Sequence, residues 1–280
     1  MNDNLTHHGV KGMKWGVRRY QNKDGSLKSA GKNRGKTQST SSEPTKYHKE
    51  SSKKIKVNKD GSETVPEGFV FNRVGQSSLD VNKSGALYVS HGKDDAARYV
   101  KNLGPTLMGK LLGEYGTTVQ HLSAKGDLKI SSEEKTVEGI AKTLLSDPAM
   151  LKNFNGSMFS SITSGSLDTE VTKSDIEKAV NNPQSREAQR LAYGFGGYLG
   201  DGNNAKDAAK VYDHFKKEGY DGVPDLFDRY SGTSTTAMIV VNPSKVQMES
   251  KTLITKDVMK AGKKYVKEIG KLPVSDLLDD

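Results

Sequence analysis

The feature that most limits what this chain can fold into is where its buryable residues begin. Up to about residue 60 there is almost nothing to bury, and the same stretch carries the charge. Residues 1–60 hold 15 Lys+Arg against 5 Asp+Glu, while the following 220 hold 28 against 29. The net charge of +9 therefore rides on the first segment. Residues 21–63 run through Gly, Ser, Thr, Asn and Lys, a composition that cannot offset the entropy of ordering and that self-repulsion extends. They are expected to be a disordered basic linker. Residues 1–20 differ: they hold the single Trp15, the pair His7-His8, flexible glycines and the cations Lys11, Lys14, Arg18 and Arg19. One large apolar anchor between basic flanks suits docking onto another surface better than folding alone. The expected organisation is thus a docking peptide (1–20), a linker (21–63), one α+β domain (64–270) and an acidic tail (271–280).

Within the domain, hydrophobic periods of two alternate with periods near 3.6. Gly68–Val74, Gly85–Ser90, Gly116–His121, Asp127–Ile130 and Thr235–Asn242 read as strands. Helices are expected from Asp94-Asp95 through Ala96–Lys101, over Ser132–Leu145 up to the stop at Asp147-Pro148, and over Ser174–Val180, Ser185–Tyr193, Ala205–Lys217 and Lys256–Ile269. Tyr220–Val223 reads as a turn into a loop. The expected architecture is a mixed or antiparallel sheet with flanking helices.

Several chemistries are excluded at once. Without cysteine there is no disulfide, thiolate nucleophile or Cys-ligated metal. The longest apolar run, Ala237–Val241, is far short of the ~20 residues that span a bilayer, so no membrane partner is expected. An apolar signal segment is absent from the first residues, so secretion by signal peptide is not expected either. Neither a phosphate-cradling glycine loop nor a nucleophile elbow is present. His7-His8 is read as part of the docking peptide and not as a metal site. Ser90-His91 with Asp94 and Asp95 holds the ingredients of a triad, but neighbours in sequence seldom converge as one.

Two resemblances carry further expectations. Residues 7–27, His7-His8-Gly9-Val10-Lys11-Gly12-Met13-Lys14-Trp15-Gly16-Val17-Arg18-Arg19-Tyr20 and on to Leu27, resemble a terminal peptide shared by head and packaging proteins of tailed phages and prophages of Gram-positive bacteria. That resemblance implies a virion-associated structural or cargo protein, found in the head and the host cytoplasm. Its partners would be the capsid, portal or another head protein, held by His7, His8, Lys11, Lys14, Trp15, Arg18 and Arg19. The basic arm would also touch packaged DNA without reading its sequence, with Trp15, Tyr20 and Tyr47 as its possible stacking groups.

The second concerns the body. Phe69–Val74, Leu87–Ser90, Gly219–Val223 and Met238–Val246 occur in an order that resembles the ADP-ribosyltransferase-like domains of phage head-associated and prophage toxin proteins. The resemblance implies that Arg73 grips a dinucleotide phosphate, that Tyr88 and Ser90 shape a nicotinamide-ribose site, and that Tyr99 stacks on the nicotinamide. NAD would then be the cofactor and a host protein the target. Members of that family place a Glu before the Asn-Pro-Ser segment to stabilise an oxocarbenium-like sugar. Here the stretch reads Ser234-Thr235-Thr236-Ala237-Met238, with no acid. Asp221, Asp225 and Asp228 are the substitutes within the preceding loop. Losing such a group typically costs ~10²–10³ in rate, which favours a fold kept with weak or lost activity.

Overall fold

The computed structural model describes residues 47–76, 78–79, 81–103, 116–160 and 170–270. The docking peptide with its seven candidate contact residues, most of the linker and the tail 271–280 lie outside them. The strands are β1 (Lys56–Val57), β2 (Glu63–Val65), β3 (Val70–Gly75), β4 (Leu87–Val89), β5 (Thr118–Ala124), β6 (Leu128–Ile130), β7 (Gly222–Pro224), β8 (Met238–Val240) and β9 (Val246–Leu253). The helices are α1 (Lys93–Leu103), α2 (Glu133–Ser146), α3 (Pro148–Asn155), α4 (Lys173–Asn181), α5 (Arg186–Gly200), α6 (Ala205–Lys217), α7 (Leu226–Tyr230) and α8 (Lys256–Ile269).

Where one sheet was expected, two form, in the orders β1-β2-β6-β7-β8-β4 and β3-β5-β9. All pairings are antiparallel except β6–β7, where Ile130 meets Gly222 in parallel. The alternation of side chains along β4 and β8 explains how the layers stack. Tyr88 and Ile239 point one way, into a core made with α2 to α6. Leu87, Val89, Met238 and Val240 point the other way, onto Phe69, Phe71, Leu122 and Val246 of the second sheet and its approach. The far face of that second sheet packs Val119 against Ala97 and Val100 of α1 and Val258 and Val266 of α8. The result is four layers: helices, six-stranded sheet, three-stranded sheet, helices. Both faces of β5 are covered, and all seven of its residues are buried.

The ordered body starts earlier than the expected boundary at residue 64. Tyr47 is only 2% exposed and packs 6.3 Å, ring to ring, from Tyr265 of α8. The Asn72 side chain then holds the backbone of Lys49 at both N–H (2.9 Å) and carbonyl (3.1 Å). Tyr47 is therefore core and not a stacking group for nucleic acid. Of Tyr220–Val223, read as a turn into a loop, Gly222 and Val223 belong to β7, an inner strand of the large sheet.

Gly222 permits that strand. A Cβ there would lie 2.7 Å from Cδ1 of Ile130 and 2.9 Å from the carbonyl oxygen of Ile239, and the carbonyl is backbone that cannot rotate away. Gly222→Ala is expected to destabilise the fold by about 1–3 kcal/mol. A lower urea midpoint at an unchanged slope would register it; an unchanged midpoint would contradict the crowding.

Candidate functional site

The titratable groups converge where α1, β4, α7 and the loop before β8 meet. Two carboxylates define the spot. Asp225 caps α7, its Oδ1 accepting from the Asp228 N–H at 3.2 Å, the usual task of an aspartate one residue before a helix. Asp228, one turn on, accepts a short hydrogen bond from the Tyr99 hydroxyl of α1. Burial, helped by the Asp228 charge, pushes the Asp225 carboxyl up to about 7. Burial also raises Asp228; the Tyr99 hydrogen bond opposes the shift and the Asp95 charge adds to it. Two acids this close and this dry do not both ionise readily. The chemistry available is that of a carboxyl that keeps its proton up to about pH 7, a property that suits a general acid or base.

Tyrosines surround the pair. Tyr88 on β4 meets the Tyr212 hydroxyl of α6 at 2.8 Å, and burial, then the Tyr212 phenol, holds its own phenol far above the usual range. Tyr99 is raised in the same way by burial and by Asp228. His91, just past β4, is pushed down to about 4 by burial and then by the Arg229 and His48 charges, so it is neutral at physiological pH.

Asp95, named in the sequence as a helix-start acid and a triad ingredient, takes a role here that the pattern does not show. It reads as an ordinary acid in the first turn of a helix, yet it is fully buried. Its Oδ1 accepts from the Thr235 N–H (3.2 Å), and its Oδ2 accepts from the Thr236 N–H (3.0 Å) and hydroxyl (2.5 Å). The Thr236 Oγ1 in turn accepts from the N–H groups of His91 (3.0 Å) and Gly92 (2.8 Å). A carboxylate thus arrives from α1 at the very stretch, Ser234–Met238, that has no acid of its own. No signal in the local pattern pairs residues 95 and 236, which are 141 positions apart.

The other candidates are placed as follows. Tyr88, Tyr99, Asp225 and Asp228 come together, near enough for each phenol to feel both acids. Ser90 is 1% exposed; its backbone pairs with Asn72 and its hydroxyl reaches the Asn72 carbonyl at 3.5 Å. Arg73 directs its Nη1 to Oε1 of Gln120 at 2.9 Å. It shares with Tyr99, Asn72, Val74, Ala96 and Val119 a crevice with no room for a water molecule. Asp221 stands at the opposite end of β7 from Asp225. There it accepts from the Lys129 N–H (3.1 Å), the Asn242 amide (3.3 Å) and the Lys245 ammonium (2.8 Å). It ties β6 to the Asn-Pro-Ser segment and takes no part in the acid pair.

Over residues 1–22 the chain is similar to a family of unknown function, DUF7211. No curated protein and no solved structure matches the chain. Among the described residues no helix is long and apolar enough to cross a membrane.

Proposed function

We propose that this is a head-associated protein of a tailed phage or prophage, attached through residues 1–20 to the capsid, portal or another head protein, with the folded body as its cargo. The observation that carries this reading is that the family similarity ends at residue 22, outside the compact unit that begins at Pro44. A peptide recognised apart from the body it precedes behaves as a label. Trp15 supplies the apolar anchor, Arg18 and Arg19 the complement to an acidic wall, and packaged DNA is a natural neighbour for the remaining positive charge. The expected location is the virion head and, before assembly, the host cytoplasm.

The body supports a cargo role through the way its acids are used. Asp221 and Asp95 are committed to internal hydrogen bonds, and Arg73 is turned to Gln120. An ADP-ribosyltransferase acting with NAD on host proteins is the second reading. What favours it is the gathering of Tyr88, Tyr99, Asp225 and Asp228, with one acid titrating near neutrality.

Residues 1–22 fused to a fluorescent protein and co-expressed with the head proteins of the same genome are expected to sediment with particles. Replacing Trp15, Arg18 and Arg19 together by alanine should return the fusion to the soluble fraction. Particles that exclude the intact fusion would overturn the docking role. Transfer of label from NAD to lysate proteins, abolished by Arg73→Ala, would move the second reading to first place.

A further inference from the structure

Away from the acid pair, a hollow of about 310 Å³ opens between α1 and α8, lined by Arg98, Lys101, Lys263, Val266, Lys267 and Gly270. That volume lies at the lower end of the ~300–1,000 Å³ range of small-ligand pockets. Four of the six lining residues are cations and none is an acid. Arg98 and Lys101 stand three apart on α1, and Lys263 and Lys267 four apart on α8, so each pair shares one helix face and its members repel.

Positive side chains near helix C-termini answer the helix dipole. That accounts for Lys101 and Lys267 in their last turns. It does not account for four cations converging on one hollow. Nor does it explain Arg98, which is 9% exposed, spends its Nη2 on the Gly270 carbonyl (2.8 Å) and keeps a buried Nε with no hydrogen-bond partner. That Nε is shielded from the hollow, so it marks the cost of holding Arg98 in the wall and is not itself a ligand contact.

We propose that the hollow is an anion site for a compact oligophosphate, with a pyrophosphate unit as the smallest ligand that engages both helices. Each phosphate group brings about −1.5 to −2 charges at pH 7 and three acceptor oxygens, whereas a carboxylate brings one charge and two. Two linked phosphates match four cations, and the guanidinium fork suits phosphate oxygens. The site is independent of the docking peptide and of any transferase chemistry.

The test is calorimetric titration of the full chain with pyrophosphate at fixed ionic strength. Saturable one-site binding is expected, weakened at least tenfold in Lys263→Gln/Lys267→Gln. Lys256→Gln/Lys260→Gln, exposed on the same helix outside the hollow, should leave it unchanged. Orthophosphate should bind more weakly through the same lysines. No saturable binding, or equal losses in the two double variants, would overturn the proposal, because the basic arm or general charge would then be the binder. Single-stranded DNA that binds more tightly than pyrophosphate, with the same dependence on Lys263 and Lys267, would also overturn it in favour of a nucleic-acid surface.

Discussion

Asp225→Asn is expected to stabilise the protein at pH 8 by on the order of 4 kcal/mol relative to its effect at pH 4. The Asp225 carboxyl is raised by burial and by Asp228 from 3.8 to about 7, whereas the unfolded chain titrates near the ordinary value. Between these values the native state holds a proton that the unfolded state has released. The stability contributed by this group is thus complete below about pH 4 and is lost as pH rises through about 7. Asparagine keeps the helix cap and never ionises, so the variant escapes that loss. His91, pushed down to about 4, and the lowered His48 and His121 act in the opposite sense. For them the native state binds fewer protons, and stability rises with pH up to the unfolded histidine value. The difference between variant and parent cancels these histidines. Urea melts of both proteins at pH 4, 6 and 8 should show a gap that widens with pH. A constant gap would mean that Asp225 is ionised in the fold throughout.

The second large effect belongs to Asp95. Asp95→Ala is expected to cost about 3 kcal/mol, because a fully buried carboxyl group with three hydrogen bonds disappears and leaves the Thr235 N–H and the Thr236 hydroxyl without their acceptor. Removing the charge also relieves Asp228, which offsets part of the loss. Thr236→Val should cost somewhat less, about 2 kcal/mol, by stripping the acceptor from the N–H groups of His91 and Gly92. The double variant should fall short of the sum by 1 kcal/mol or more, on the order found for residues in one network. Chemical denaturation of the three variants measures this. Strict additivity would show that Asp95 and Thr236 do not act as one bracket.

Much of the secondary structure was legible where one physical signal dominated. The apolar stripe Ala208, Val211, Tyr212, Phe215 marks α6, and its bounds, like those of α8, coincide with the expected ones. The failures have specific causes. Strand β9 is hidden by a bulge: Leu122 pairs with Met248 but His121 pairs with Ser250, so Glu249 is an extra residue. The inward phase set by Val246 and Met248 reverses there, and no sustained period of two survives. Asp147-Pro148 reads as a stop for α2 and so hides α3, yet Pro148 sits in the first turn of α3, behind Asp147, whose side chain accepts from the Met150 N–H at 3.0 Å. The site was legible by half. Tyr88 and Tyr99 lie on the strand and the helix that the pattern indicates, whereas Asp225 and Asp228, expected in a loop, stand at the cap and in the first turn of α7. Asp95 and Asp221 depend on partners far along the chain, which no window of neighbouring residues contains.

The parallel contact between β6 and β7 shapes how the chain is assembled. Parallel neighbours need a crossover, and here the crossover contains every helix from α2 to α6 as one uninterrupted stretch. The chain leaves the sheet at Ser131, whose N–H donates to the carbonyl of Gly222 at 3.0 Å, where it returns. Departure and re-entry are thus clasped by this bond and by that from the Asp221 N–H to the Lys129 carbonyl (2.7 Å), the geometry of an inserted module. Contacts inside such a stretch, as between Gly139 and Phe215, span fewer residues than the most distant pairings of the sheets. The sheets must join partners as distant as Thr118 and Leu253, and loop closure over that distance delays them. The helical block can therefore condense first, leaving closure of the sheets around it as the slow step of folding.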